Sequence, residues 1–266
     1  TSSPRQVTIE LNSNRTSNGL FAQSLGYPIN PPPMPLHLAN QILYQLATIE
    51  DIAITLHGAG DPLLHPHFDE IVRHAKHIDI RGVNLRTELL VDQPTLSRLL
   101  GCGVDVISVD LNADRAATYQ AMMGEDRFKD VLLNIEYLLQ HRRKLTNHPG
   151  TAAFAMPWIV PHLQRCAATY EDIDSFFDRW QHMLGTAVIE ELHTINGDHG
   201  LTPAITPQRV IERDLARTMT ILCDGSVPVQ PRDFTGKNCV GGVGDQSIND
   251  LWQTPLAARF KDQRSA

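Results

Sequence analysis

The stretch Ile52–Phe68, which reads TLHGAGDPLLHPHF from Thr55 onward, decides the fold. Ile52, Ala53, Ile54, Thr55 and Leu56 form a short apolar, β-rich run of the kind that fills a parallel sheet. Gly58 and Gly60 carry no Cβ, so the backbone there can turn tightly and expose its N–H groups. Pro66 stands near the start of an amphipathic helix marked by Phe68, Ile71, Val72 and Ala75, where a missing N–H is tolerated. Such a strand–turn–helix can hold a carboxylate, a phosphate or an amino-acid backbone. By spacing alone it is also an ordinary βα connection, and both readings stay open.

Outward from this centre the same pattern repeats. Gln6–Asn12 alternates and is β-branched, predicting a first strand; Asn12–Asn30 is polar, and Pro31–Pro33 is extended chain. Pro35–Ala47 predicts a helix, Ile52–Leu56 the second strand and Phe68–His77 its helix. Val83–Leu85 and Val104–Leu111 predict strands three and four, with helices over Gln93–Leu100, Asp114–Met122 and Asp126–His141. Thr151–Val160 reads as strand five and Ala187–Leu192 as strand six. Between them Tyr170–Met183 reads as a helix with Phe176, Phe177 and Trp180 inward. Alternation of this kind implies right-handed parallel βαβ units, and roughly six of them fit an incomplete barrel better than a closed eight-fold one.

After Gly200 the pattern changes. Pro203 and Pro207 mark a joint, and Thr218–Leu222 with Ser226–Pro228 reads as a hairpin around Cys223–Gly225. A glycine-rich loop over Gly236–Gly244 follows, then short helices at Ser247–Trp252 and Leu256–Phe260. The expected division is 1–200 for the barrel and 201–266 for a C-terminal extension.

Composition narrows the function. A chain of 266 residues with 42% hydrophobic and 20% charged residues can bury a full core as a soluble globular protein. A net charge of −7 without a basic run argues against a nucleic-acid partner. No apolar stretch approaches the roughly 20 residues of a membrane helix, so no membrane partner is expected. Thr1–Arg5 is not followed by a signal-peptide core, and the opening lacks Met, as a piece of a longer protein would. Cys102, Cys166, Cys223 and Cys239 are scattered without CxxC spacing, which points to a reducing, cytoplasmic setting.

On these residues the chain resembles the radical S-adenosylmethionine (SAM) enzymes. GAGDPLLHP, from Gly58 to Pro66, is similar to the GGEP segment that closes the family's second strand and contacts the amino group of SAM's methionine moiety. VTIELN, from Val7, resembles the first strand. VISVDLNA, from Val106, with the YQAMMG and FKDVLLNI that follow, is close to the fourth strand and its helices. MTILCDGSVPVQPRDFTG, from Met219, with VGGVGDQSINDLW, from Val240, is similar to a SPASM module. The resemblance implies an α/β fold: a partial (β/α)6 TIM-like barrel of the radical SAM type with a small SPASM-like α+β extension.

The chain departs from the family where iron would bind. A CxxxCxxC after strand one gives three thiolates to a 4Fe–4S cluster whose open iron binds SAM. Those positions fall near Arg15, Gly19 and Ala22, and no cysteine precedes Cys102. The SPASM cysteine expected near Gln230 or Pro231 is absent too. No iron–sulfur cluster is therefore expected. The usual TNG after strand three is Arg86–Thr87–Glu88, and Asp110 occupies the place of a serine often near SAM.

Function in such sheets gathers at the carboxyl ends of the strands. Here these ends are Asn12, Gly58–Asp61, Arg86–Glu88, Asp110–Asn112, Trp158 and His193, expected to converge on one cavity. The candidate cofactor-binding set is Gly58, Ala59, Gly60, Asp61, Arg86, Glu88, Asp110 and His193, with SAM the cofactor implied by the resemblance. Arg86 could grip a ligand carboxylate, while Asp61 and Asp110 could take an amine or ribose hydroxyl. Equally, Arg86, Glu88 and Asp110 could pair with each other. His57, His65, His67, His74 and His77 lack the spacing of a metal site, and no GxSxG or GxxxxGK[ST] loop occurs.

The expected function is a non-redox binding or scaffolding protein, a pseudoenzyme that has lost its cluster ligands. Its partner would be a paralogous radical SAM enzyme, a peptide or protein, or another domain of its own chain. The alternatives are a cluster-independent, transferase-like enzyme using SAM, or a domain of a larger radical SAM/SPASM modifying system.

Overall fold

The apolar run ahead of the glycine turn forms a strand at Ala53–Leu56 (β2), and the stripe behind it forms the helix Phe68–His77 (α2), with Phe68, Ile71, Val72 and Ala75 buried. The computed structural model describes residues 3–19, 31–146, 156–191 and 217–254. Before β2 come β1 (Gln6–Ile9) and α1 (Leu36–Leu46). After α2 come β3 (Gly82–Thr87), α3 (Gln93–Gly101), β4 (Val106–Asp110), α4 (Ala116–Met123) and α5 (Phe128–Thr146). Next are β5 (Trp158–Arg165), α6 (Ile173–Leu184), β6 (Val188–Glu191) and β7 (Thr218–Ile221). The last elements are β8 (Ser226–Pro228), β9 (Cys239–Gly242) and α7 (Ile248–Trp252).

Seven strands follow the order β6-β5-β4-β3-β2-β1-β7 in one sheet, the α/β partial-barrel class expected, with one strand more. β1 pairs in parallel with β2 and β7, and β5 in parallel with β4 and β6. The chain gathers in two compact units: Thr1–Arg15, Leu25–Asn84 and Arg209–Ala266 form the first, Thr16–Ser24 and Leu85–Gln208 the second.

In the first unit Val7, Thr8, Ile9 and Glu10 are all buried, as residues of a parallel strand covered on both faces are. Helix α1 buries Ala39, Ile42, Leu43 and Leu46, one face at helical period. The expected hairpin is not formed. β7 runs beside β1 from Gln6↔Thr218 to Ile9↔Ile221, while β8 pairs antiparallel with β9. The turn survives, with Leu222 N–H donating to Ser226 O at 2.9 Å and Gly225 N–H to Leu222 O at 2.8 Å. Its first strand joins β1 because that pairing satisfies the buried edge of β1 and buries Met219, Thr220 and Ile221 together. The expected helix Leu256–Phe260 lies outside the described residues.

In the second unit β5 begins at Trp158, not Thr151, and Thr151–Ala155 lies outside the described residues. Ile159, Pro161 and Leu163 turn to the core while His162 and Gln164 fall on the other face, so the strand's second half reads as polar. Trp158 therefore stands at the start of β5, 46% exposed, and not at its carboxyl end. Phe177 is likewise outward, since Phe176 and Trp180 share one face of α6 at i,i+4 and Phe177 lies about 100° away. Cys102 and Cys166 are small core residues, as their apolar settings imply. Among the described residues no helix is long and apolar enough to cross a membrane.

Asp172, wholly buried, locks α6 to the segment before α4. It accepts from Asp114 N–H (2.7 Å), Arg115 N–H (3.0 Å), Arg115 Nε (2.6 Å) and Thr118 Oγ1 (3.1 Å). Asp172→Ala would leave the Asp114 N–H and the Thr118 hydroxyl without an acceptor. A loss of about 2–4 kcal/mol in urea unfolding is expected, and an unchanged midpoint would show that the carboxylate is dispensable.

Candidate functional site

The glycine turn belongs to the first unit, and its own chain occupies much of it. Glu10, 1% exposed, accepts from Ala59 N–H at 2.9 Å and from Cys223 N–H at 3.2 Å. Burial raises the Glu10 carboxyl above its ordinary value against these two hydrogen bonds. Burial and the neighbouring Glu10 push the Cys223 thiol up to about 12, so it is held as a thiol, not a thiolate. A Cβ on Gly58 would strike the Glu10 side chain, and one on Gly60 would strike Asn12 O and Oδ1. Close approach is thus what requires glycine at both positions.

Arg15 crosses the same turn. Its Nη2 donates to Gly58 O at 3.0 Å, and its Nε donates to Ala59 O. Asp61 N–H donates to Asn14 O at 2.7 Å, and Asp61 Oδ1 accepts from Leu63 N–H at 2.9 Å, capping a short turn at Pro62–Leu64. Asn12 Nδ2 donates to Asp61 O at 2.7 Å. His65 is structural, with Nε2 2.9 Å from Met34 O, and burial lowers its pKa.

The second unit holds a different group at the ends of its strands. Arg86 Nη1 and Nη2 meet Glu190 Oε1 and Oε2 at 2.9 and 2.7 Å, a two-pronged pair, while Nε donates to Asp110 Oδ1 at 2.7 Å. Glu190 Oε1 also lies 2.7 Å from His162 Nδ1. Burial alone would push the Glu190 carboxyl up. The Arg86 charge and the His162 hydrogen bond outweigh it and hold the carboxyl far below its ordinary range. Burial likewise opposes the charge on Arg86, and Asp110 and Glu190 overcome it. Asn112, at φ 56°, ties the two strand ends together by donating to His162 O and accepting from Gln164 N–H at 3.0 Å.

The candidate residues therefore divide. Arg86 and Asp110 pair as one of the two expected readings has it, so the donors of Arg86 are spent within the chain and not held open for a ligand carboxylate. Glu88 is not in that group. Its carboxylate accepts from Ser17 N–H (3.1 Å) and Oγ (2.6 Å), since Glu88 lies past the end of β3 at Thr87, where the strand's alternation no longer holds it beside Arg86. Gly58, Ala59, Gly60 and Asp61 form the turn of the first unit, and His193 lies outside the described residues. Sequence reasoning missed Glu10, Arg15, His162, Gln164 and Glu190. The i,i+2 spacing of His162 and Gln164 after Pro161 was the one available signal. A groove of ≈ 420 Å³ beside Asp92, Arg127 and Tyr137 shares no residue with either group.

Arg15 and Gly19 offer no thiolate, Arg15 is committed to two carbonyls, and Ala22 lies outside the described residues. Among the described residues no three His, Cys, Asp or Glu side chains are grouped to hold a metal ion.

A parallel α/β sheet with polar groups at its strand ends defines a partial-barrel protein. Residues 21–151 match the model of the Radical SAM superfamily. SuiB of Streptococcus suis bound to S-adenosylmethionine is similar in fold, at TM-score 0.77 and 13% identity over 98% of this chain and 68% of that one. anSMEcpe with bound AdoMet is similar at TM-score 0.73 and 11% identity, over 99% and 84%. BtrN in complex with AdoMet and 2-DOIA is similar at TM-score 0.60 and 17% identity, over 97% and 86%. At these identities the likeness shows the fold. No curated protein matches the chain by sequence.

The Arg86 network has two measurable consequences. Arg86→Met strands two carboxylates and is expected to lower stability by about 3 kcal/mol in urea at neutral pH. Glu190 titrates lower folded than unfolded, so its stabilisation is complete above about pH 4.3 and is lost as pH falls through the depressed folded value. Glu190→Gln should accordingly flatten the fall of the urea midpoint below about pH 4.3. Identical pH slopes in variant and wild type would rule out this role for Glu190.

Proposed function

We propose that this chain is a radical SAM superfamily member that assembles no cluster after β1 and serves as a non-redox binding or scaffolding protein. The observation that carries this reading is Arg15. It stands near the first of the three positions where the resemblance puts the family's thiolates, and its guanidinium donates to the carbonyls of Gly58 and Ala59. In the resembled family this turn meets an amino group of SAM. Here the chain supplies its own N–H donors to the same kind of acceptor, so a ligand ammonium has to displace them.

The partner is a peptide or protein, or a cluster-bearing paralogue that handles one. SuiB is also known bound to its precursor peptide SuiA, which supports the peptide reading. Residues 201–266 would be the SPASM-like extension and 1–200 the barrel. Four free cysteines, three of them buried, suit a reducing, cytoplasmic setting. A second reading, a cluster-independent enzyme using SAM, is supported by the SAM-bound structures of similar fold.

Anaerobic reconstitution with ferrous iron and sulfide, followed by iron counting and absorbance, tests the proposal. Substoichiometric iron is expected, and a full cluster complement overturns it. Calorimetric titration with SAM addresses the second reading. Arg15→Ala, which frees two carbonyl acceptors, is expected to bind SAM about tenfold or more tightly than wild type. Equal affinities would separate Arg15 from any ligand site.

A further inference from the structure

The geometry points to an ammonium-binding subsite at His162 and Gln164, in the second unit. These two residues sit two apart on β5, so their side chains share a face. Each has a buried polar atom without a hydrogen-bond partner among the described residues: Nε2 of His162 and Oε1 of Gln164. His162 is 8% exposed, and an orphaned polar atom at that depth is unfavourable unless something fills it.

The chemistry of the missing partner follows from what His162 already does. A carboxylate held ionised, as Glu190 is, can only accept hydrogen bonds. The 2.7 Å contact therefore makes His162 Nδ1 the donor and fixes the tautomer. In the neutral ring Nε2 then carries the lone pair. The Gln164 oxygen is an acceptor by nature. Two buried acceptors on one face call for a group that only donates.

Charge selects among donors. Asp110 pairs in register with His162 across β4–β5, and Glu190 with Gln164 across β5–β6, so each acceptor has a carboxylate-bearing neighbour. Arg86 is engaged with both carboxylates and offers no open cation to an anion. A primary ammonium, bringing N–H donors and positive charge, suits this surround better than a hydroxyl or a carboxylate. The inference rests on reading these strand ends as a ligand site, and not on whether a cluster forms.

Imidazole ¹⁵N spectra of ¹⁵N-histidine-labelled protein, at about pH 8 where the ordinary ring is neutral, are the test. His162 should show the Nδ1–H tautomer, identified by loss of its signals in His162→Gln. Nα-acetyl-lysine N-methylamide should then shift the Nε2 signal saturably. Its norleucine analogue, of like shape without the ammonium, and acetate should leave the signal in place. Gln164→Leu should weaken the lysine amide about tenfold. The opposite tautomer overturns the assignment. So does a signal that ignores the lysine amide, which would mean ordered water fills the site, or one that responds equally to the norleucine analogue. A protein that fails here while taking up no iron keeps the non-redox reading and loses this subsite alone.

Discussion

A guanidinium can be largely buried at the ends of β3 and its neighbours only because two carboxylates meet it there. The Arg86 side chain is 17% exposed, and removing so much of its water is tolerable when Asp110 and Glu190 take up its donors in good geometry. That demand reaches outward. It requires β3, β4 and β6 to end at matching depths, and it keeps Glu190 ionised. Through Glu190 it also sets the tautomer of His162.

The first unit solves a related problem with backbone in place of a counter-ion. Glu10 is buried and is held by the N–H groups of Ala59 and Cys223. Such bonds favour the charged form, yet burial wins and its carboxyl titrates high, the reverse of Glu190. Two carboxylates near strand ends are thus driven in opposite directions by whether a guanidinium is at hand.

The elements legible in the sequence were those whose pattern is local. Helix α2 spans Phe68–His77 as its apolar stripe predicts, and β2 and β4 lie inside their apolar runs. The extent of β5 is not legible because its second half carries the polar residues His162 and Gln164, which hide the strand from a hydrophobicity pattern. β7 reads as half of a hairpin because its pairing with β1 spans more than two hundred residues and leaves no local trace. The site divided in the same way. Strand polarity brought Arg86 and Asp110 into view, whereas Glu190, 104 residues from Arg86, is visible only once β6 is set beside β5.

The same distinction bears on what the glycine turn means. Gly58 and Gly60 are fixed by the approach of the Glu10 side chain and of the Asn12 backbone, neither of which involves a cofactor. Arg15, meanwhile, satisfies the carbonyls that a bound amine would seek. Packing alone is therefore sufficient reason for the turn to keep its family-like sequence. The turn reports how β1 and β2 fit together. Any ligand chemistry has to be read instead from groups that packing leaves unsatisfied, and His162 Nε2 and Gln164 Oε1 are of that kind.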